Sequence, residues 1–288
     1  MEHVEVRGTA RRARALAWGI ATHGAFAVAV GAMAFALHAG LHVFPRRTGL
    51  GLAIAADFAL LLQFPLLHSL LLTRGARPEW LRRALLGAQG DPLATTRFVL
   101  VSALQLLLVF LAWQPLAPWS ARLPDGALLV LNEVLFAASW GLLVWAMHTA
   151  GMAVQSGSLG WTSLWRDETP RFPRFEPRGL YRVTRHPIYV AFTLVLWTAP
   201  TWTLDRVLLA SVWTLYGILG ARRKEARLLA RHGDPYREYA ARTPFWIPLP
   251  FARSWFEPSI GLERAAAPRM LSAREPQGSS GGRCASSS

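Results

Sequence analysis

Several long apolar runs restrict how this chain can fold more than any other feature. Four of them lie at about 15–41, 50–72, 98–113 and 127–147, and a longer apolar block follows at 187–220. A helix of roughly 20 apolar residues crosses the ~30 Å hydrocarbon layer of a bilayer, with its backbone polar groups bonded inside the helix. No removable signal, with a short apolar region and a small-residue cleavage site, precedes them. The runs predict an all-α, polytopic integral membrane protein.

The composition and the last apolar block refine this prediction. Hydrophobic residues make up 52% and charged residues 17% of the 288 positions, which is too apolar for an ordinary soluble domain. The last block is interrupted at Pro200 and at Asp205-Arg206, and each half is short for an upright span. It therefore predicts a C-terminal helical hairpin whose second half continues into 222–231. In all, about five or six membrane helices are expected.

The net charge of +14 follows the positive-inside pattern of membrane proteins. Arginines cluster before the first run, between the second and third, and after the fourth, whereas the other loops carry only Arg46, Arg47 and Arg122. Basic loops remain on the cytoplasmic side, so the N-terminus, the 74–97 loop, the 149–186 loop and the C-terminal region are expected there. The excess charge then reflects topology and contact with anionic lipid headgroups, not nucleic-acid binding. The expected location is a bacterial inner membrane.

The chain is predicted to consist of one membrane domain between two tails. Residues 1–14 form a basic N-terminal tail, 15–264 the membrane domain, and 265–288 a disordered tail, because Ser, Gly, Ala, Pro and Arg bury too little apolar area to order a segment. Cys284 is the single cysteine, so neither a disulfide framework nor a cysteine-based metal site is expected.

A polar segment stands at the entrance of the last apolar block. Gly179 permits a turn, and Pro187 suits the first turn of a helix that begins next to His186. The N–H groups and the dipole at such a helix N-terminus favour a carboxylate. His186 and Tyr189 are three residues apart and therefore share a face. The alternative is interfacial anchoring, because aromatic and basic side chains are common at membrane boundaries.

A second polar segment follows the block. An amphipathic helix at 222–229 is ended near Gly233. A short helix comes next, and three of its side chains recur on one face: Tyr236, Tyr239 and Arg242. Glu225 is one carboxylate among many arginines. It either forms a salt bridge with a neighbour such as Arg222 or accepts hydrogen bonds from the ribose or amine of a ligand.

The two segments together resemble the signature of the isoprenylcysteine carboxyl methyltransferase superfamily. The pattern reads Gly-Leu-Tyr-Arg-x-x-Arg-His-Pro-x-Tyr at 179–189, Glu225, Gly-x-x-Tyr-x-x-Tyr at 233–239, and Phe-Trp-Ile-Pro at 245–248. This signature covers about 175–250. A weaker similarity to the methanethiol S-methyltransferase and NnrU-like branch extends over most of 15–250.

The resemblance implies an integral membrane methyltransferase that uses S-adenosyl-L-methionine and requires no metal. It implies a cofactor pocket with these residues: Arg185, His186, Pro187, Tyr189, Glu225, Tyr236 and Tyr239. It also implies catalytic roles for three residues: His186, Glu225 and Arg242. The implied acceptor is a small apolar thiol such as methanethiol, or a lipid-borne group, and His68 and Trp197 are predicted to line its pocket.

Two alternatives remain open from the sequence. One is methylation of a prenylcysteine carboxyl group or a phospholipid amine, and the other is a non-catalytic NnrU-like membrane protein or small transporter. The chain also departs from the family pattern, which often has two adjacent carboxylates where this chain has Lys224-Glu225. It has Ala191 where the family often has Gly, and Leu67 where relatives commonly carry Gln.

Other polar and aromatic groups near the membrane are predicted to be structural. Asp57 and Glu133 are expected to pair across helices or to lie near an interface, because ionisable groups are costly inside a bilayer. The loop around Trp161 and Trp165 is expected to cover the protein at headgroup level.

Overall fold

The computed structural model describes residues 2–73, 78–173 and 176–246, and for 2–7 it describes the backbone alone. The predicted tail at 265–288 lies outside these residues. The α-helices are α1 (Glu2–His38), α2 (Leu50–Leu72), α3 (Glu79–Leu86), α4 (Ala94–Ala112), α5 (Ala127–Thr149), α6 (Met152–Gln155), α7 (Ser158–Arg166), α8 (Pro187–Thr198), α9 (Leu204–His232) and α10 (Asp234–Arg242). A 3-10 helix at Gly179–Arg182 precedes α8, and the two short strands are β1 (Ser120–Arg122) and β2 (Thr201–Thr203).

Five of the described helices are long and apolar enough to cross a membrane, namely α1 from Gly8 onward, α2, α4, α5 and α9. The shorter apolar helix α8 accompanies them. Large apolar side chains such as Ile20, Phe58 and Leu131 are more than half exposed on these helices, as lipid-facing residues are. The prediction of an all-α membrane bundle is confirmed.

The C-terminal hairpin is formed by α8 and α9, and its ends follow from local chemistry. Pro187 occupies the first turn of α8, where its missing N–H removes no hydrogen bond. The Thr203 hydroxyl caps α9 by accepting a bond from the Arg206 backbone N–H at 3.1 Å. Gly233 ends α9 with a φ of +60°, a conformation that favours glycine. Helix α9 therefore continues past the apolar part into the arginine-rich segment, as predicted.

Buried polar groups and a two-stranded ribbon close the end of the bundle opposite to the start of α8. Strands β1 and β2 pair antiparallel, with Ser120 opposite Thr203. The buried guanidinium of Arg206 donates to the carbonyl oxygen of Thr201 in β2 and to that of Leu196, which the end of α8 would otherwise leave unbonded. The ribbon and Arg206 thereby hold the α8–α9 turn to the loop between α4 and α5.

The core draws buried residues from α1, α2, α4, α5, α8 and α9. Trp213 of α9 is almost fully buried, and its indole N–H donates to the carbonyl oxygen of Leu61 at 3.4 Å. Its ring lies 5.4 Å from that of Phe64 and 6.0 Å from those of Phe110 and Phe192, measured between centroids. Elsewhere α1 packs against α4 and α7, and α5 packs against α8.

The segment around Trp161 is helical, so the prediction of a loop there is wrong. Trp161 lies on α7, and its indole N–H donates to Nε2 of His23 on α1 at 3.0 Å. The contact is close because α1 has Gly19 here, at which a Cβ atom would lie 2.9 Å from the Trp161 ring. Trp161 therefore joins α7 to α1, while Trp165 remains partly exposed.

Glu133 and Asp57, two acidic residues within the spans, have partners at the end of the bundle opposite to the start of α8. Glu133 lies 3.1 Å from Nε2 of His38 and 2.8 Å from the guanidinium of Arg122, so its predicted pairing across helices is confirmed. Asp57 is buried and accepts a hydrogen bond from the backbone N–H of Gln114 at 2.9 Å. Both carboxylates thus help to hold the helix ends together.

Candidate functional site

The two polar segments of the sequence meet at one end of the bundle. The 3-10 helix and the start of α8 supply the first segment, and the last turns of α9, helix α10 and residues 243–246 supply the second. The backbone N–H of Arg185 donates to the carbonyl oxygen of Pro244 at 2.9 Å. This bond fixes the entrance of α8 against the segment that follows α10.

Glu225 is the centre of this cluster. Its Oε1 atom lies 3.0 Å from Nη1 of Arg185 and 3.2 Å from Nε2 of His186. Arg222 is exposed and forms no salt bridge in the part of the chain that the structure describes, so the alternative of a local Arg222–Glu225 pair is wrong. One carboxylate therefore holds two basic side chains from a segment that is distant in the sequence.

His186 is buried, with an exposed fraction of 1%. Its ring meets those of Phe245 at 4.9 Å and Tyr189 at 5.8 Å, both edge-on. Burial lowers the pKa of His186, and the hydrogen bond that His186 donates to Glu225 only partly opposes this. A neutral imidazole must donate its Nε2–H to the carboxylate, which leaves Nδ1 as a lone-pair acceptor. Among the described residues Nδ1 has no hydrogen-bond partner.

Aromatic side chains from 243–246 cover the cluster. The guanidinium carbon of Arg185 lies 5.4 Å from the centroid of the Phe245 ring, and Trp246 stacks on Tyr189 at 6.3 Å. In the sequence, Phe245 and Trp246 mark only the end of a motif. Their position directly after α10 was the available signal that they belong to the site.

Helix α10 contributes two phenols to the site. Tyr236 is buried, and its pKa is raised by burial and then by the neighbouring Glu225 carboxylate. The Tyr239 hydroxyl donates to the backbone carbonyl of Tyr181 at 2.7 Å, and burial raises its pKa as well. Both phenols are therefore neutral hydrogen-bonding groups near pH 7.

An open groove of 420 Å³ lies beside the cluster. It is lined by Pro177, Arg182, Pro235, Glu238, Tyr239, Arg242 and Thr243. Arg242 is exposed and pairs with Glu238 at 3.2 Å, so it faces this groove and not the carboxylate of Glu225. Tyr239 separates the groove from Tyr181 and the buried cluster.

Comparison with known proteins decides the family. A methanethiol S-methyltransferase of Pseudomonas sp. is 30% identical over 199 residues, which cover 68% of this chain and 74% of the relative. Methanethiol S-methyltransferase 1 of Bradyrhizobium diazoefficiens is 31% identical over 200 residues, with 68% and 67% covered. A methanethiol S-methyltransferase of Mycobacterium tuberculosis is 27% identical over 249 residues, with 83% and 98% covered. The chain belongs to the methanethiol S-methyltransferase family.

Membership of the methanethiol S-methyltransferase family confirms the branch that the motifs predicted. The chain is a methyltransferase embedded in a membrane by its apolar helices. No family model matches the chain, and no solved structure gives a significant match.

Lys224 departs from the pattern that the resemblance to this family implies, and the structure shows where its side chain goes. Its Nζ atom lies 3.5 Å from the hydroxyl oxygen of Tyr181 and 5.6 Å from the centroid of that ring. The sequence shows lysine in place of a carboxylate at position 224, but it did not predict the contact between Lys224 and Tyr181. The signal was Tyr181 itself, which belongs to the Gly-Leu-Tyr-Arg motif.

The two predicted acceptor residues lie apart from the cluster. His68 packs between the rings of Phe64 at 5.1 Å and Phe98 at 4.8 Å, and its Nδ1 lies 3.2 Å from Oγ of Ser102. Trp197 lies about three turns along α8 from the cluster, where its indole N–H donates to Thr214 at 2.9 Å. Their roles in the methanethiol S-methyltransferase family remain predictions.

Proposed function

We propose that this chain transfers a methyl group from S-adenosyl-L-methionine to a small thiol inside or beside the membrane. The relatives named methanethiol S-methyltransferase support a thiol acceptor. The observation that carries the proposal is the bonding of one carboxylate, Glu225, to both Arg185 and His186. This arrangement joins the two halves of the family signature.

The residues of the cluster fit such a cofactor chemically. A buried imidazole nitrogen of His186 without a protein partner is available to a polar group of a ligand. The Glu225 carboxylate suits an amine or ribose hydroxyls, the Arg185 guanidinium suits a carboxylate, and the face of Tyr189 suits a cation. When bound, the cofactor supplies a methyl group on a positively charged sulfur.

The side chains of the site would then position and deprotonate the acceptor. Phe245 and Trp246 cover His186 and Tyr189 and keep water from the reacting atoms, so alignment provides much of the acceleration. The neutral His186 accepts the thiol proton at Nδ1. Arg185 holds the Glu225 carboxylate in place through their contact at 3.0 Å.

The acceptor is proposed to approach between α2 and α9. The Ser69 hydroxyl bonds the phenol oxygen of Tyr216 at 3.3 Å there, next to the aromatic surroundings of His68. Farther along α9, Gly217 and Gly220 lie beside the ring of Tyr189. Small residues beside an aromatic ring suit a small thiol better than a prenyl chain, which needs a long apolar groove.

The site end is proposed to face the cytoplasm of a bacterium, from its inner membrane. The support is the distribution of arginines. The basic segments at the start of α1, in α3, and between α5 and α8 all adjoin the end that carries Glu225, and basic segments remain on the cytoplasmic side.

Binding of S-adenosylhomocysteine tests the cofactor. We expect the purified protein in detergent to bind it and to unfold at a higher temperature in its presence. Glu225→Gln removes the charge that holds Arg185 and His186, so it should weaken binding about tenfold or more. Glu168→Gln is the matched control. It changes an exposed carboxylate in the 149–186 segment, on the same side of the membrane, and should bind like the wild type.

Labelled cofactor with a panel of acceptors tests the substrate class. Membranes that contain the protein should methylate methanethiol or ethanethiol faster than prenylcysteines or phospholipid amines. Absence of binding and of transfer to every acceptor would favour the non-catalytic alternative, and preference for a prenylcysteine would overturn the thiol acceptor alone.

A further inference from the structure

A second cation lies next to the carboxylate of the site. Lys224 precedes Glu225 on α9, and its ammonium group turns toward Tyr181 of the 3-10 helix, 3.5 Å from the hydroxyl oxygen. Tyr181 is itself buried, with an exposed fraction of 7%. A lysine at a membrane boundary normally extends its charged end into water. Lys224 instead directs its charge into the protein.

The charge of Lys224 has no carboxylate opposite to it. Across the described residues no salt bridge includes Lys224, and the adjacent Glu225 is bonded to Arg185 and His186. Tyr181 cannot supply the missing negative charge, because burial raises the pKa of its phenol. A cation that is partly buried without a counter-ion destabilises the protein, so its presence requires a compensating gain.

The charges at the centre of the site point to the nature of that gain. Arg185 and Lys224 are two cations beside the single carboxylate of Glu225, and burial keeps His186 neutral. Arg227 adds a further positive charge near Lys224, so positive charge is in excess at this point. An incoming anion would neutralise it and would gain a charge-assisted hydrogen bond from Nζ.

We propose that Lys224 is a second anion-binding residue of the site, beside Arg185, and that it receives either the thiolate of the acceptor or the carboxylate of the cofactor. This inference rests on the proposed function. Tyr181 holds the ammonium group through its ring and hydroxyl, which keeps Nζ inside the site until the anion arrives.

The test compares Lys224→Met, Lys224→Arg and Arg223→Met. The first variant removes the charge with little change in length, the second keeps the charge, and the third removes a neighbouring exposed charge on the same helix. Calorimetry gives the affinity for S-adenosylhomocysteine and for its decarboxylated analogue, and initial rates give KM for ethanethiol. Thermal unfolding in detergent verifies that each variant is folded.

The two sources of the anion give different results. If Lys224 receives the cofactor carboxylate, Lys224→Met should weaken binding of S-adenosylhomocysteine about tenfold or more and leave the decarboxylated analogue unaffected. If it receives the thiolate, both affinities should persist while KM for ethanethiol rises about tenfold. In either case Lys224→Arg should recover much of the loss, and Arg223→Met should resemble the wild type.

Equal affinities and equal KM in the folded Lys224→Met variant and the wild type would overturn the inference and leave the proposed function intact. Absence of both cofactor binding and methyl transfer in the wild type would overturn the two together.

Discussion

His186 combines two properties that rarely occur together in one side chain. It is buried among the rings of Phe245 and Tyr189, yet it hydrogen-bonds a carboxyl group, that of Glu225. Burial disfavours the charged imidazolium more than the carboxylate favours it, so the pKa is lowered. The residue is therefore suited to accept a proton near neutral pH without being protonated beforehand.

The lowered pKa predicts a specific pH dependence of stability. The unfolded chain binds a proton at His186 near its ordinary pKa of 6.5, and the folded protein does so only at lower pH. Below pH 6.5 the unfolded state thus holds more protons, and stability should fall until the folded pKa is reached. His186→Gln should show a smaller loss of thermal midpoint than the wild type between about pH 7.5 and about pH 5.5.

The comparison must separate His186 from the other histidines. His148→Gln, at an exposed position on α5, should retain the acid dependence of the wild type. An identical loss of midpoint in the wild type and His186→Gln would contradict the assignment.

For individual residues, the sequence predicted which residues belong to the site better than it predicted their contact partners. The motifs selected Arg185, His186 and Glu225, and the structure brings all three together. The sequence could not predict that Glu225 forms no salt bridge with Arg222, because that depends on how α9 is rotated against α8. Nor did the spacing on α10 show that Arg242 faces the groove, since the six residues from Tyr236 to Arg242 rotate the side chain by about 120°.

Helices α2 and α5 follow the apolar runs closely, whereas α1 begins at Glu2, well before the run predicted at 15–41. The second run was predicted at 50–72 and α2 spans Leu50–Leu72, while α5 extends the predicted 127–147 by one short step to Thr149. The short helix α7 was missed because about nine residues contain too little periodicity to stand out in a loop. Helix α7 depends on tertiary packing against α1. In the sequence, Gly19 is the only sign of this close packing.

The α1–α7 contact can be tested with two glycines of the same helix. Alanine is favoured over glycine in a helix by about 1 kcal/mol, so Gly24→Ala should raise stability, because no atom lies within 4 Å of the added Cβ. Gly19→Ala places its Cβ 2.9 Å from the Trp161 ring. It should therefore be less stable than Gly24→Ala by about 1–3 kcal/mol.

Equilibrium unfolding of both variants in detergent micelles gives this difference. Equal stabilities would mean that α7 moves away freely and that the indole bond to His23 contributes little.

The whole molecule has two chemically different ends. With α8 counted, the helices run alternately between an end that holds the cluster and an end that holds the β1–β2 ribbon. Helix α8 has 12 residues, or about 18 Å, and the turn with β2 completes its path. The sequence predicted this alternation from hydrophobicity and charge, but the ribbon was not predicted because three-residue strands have no recognisable pattern.

The orientation of the two ends is measurable by cysteine labelling. In a Cys284→Ser background, Asp125→Cys marks the ribbon end and Asp234→Cys marks the start of α10. In intact cells a membrane-impermeant maleimide should label Asp125→Cys, while Asp234→Cys should react only after lysis. The opposite pattern would reverse the proposed topology and place the site outside the cytoplasm.

The pairing of Ser120–Arg122 with Thr201–Thr203 also sets the order of biogenesis. The first of these strands leaves the ribosome well before the second, so its backbone groups have no strand partner while four further α-helices are synthesised. Closure of the bundle is consequently a late event, reached when α8 has been inserted and has delivered β2 to the opposite surface. A nascent chain stopped before Thr201 would have most of its membrane helices in the bilayer. It would still lack the β1–β2 pairing that joins them.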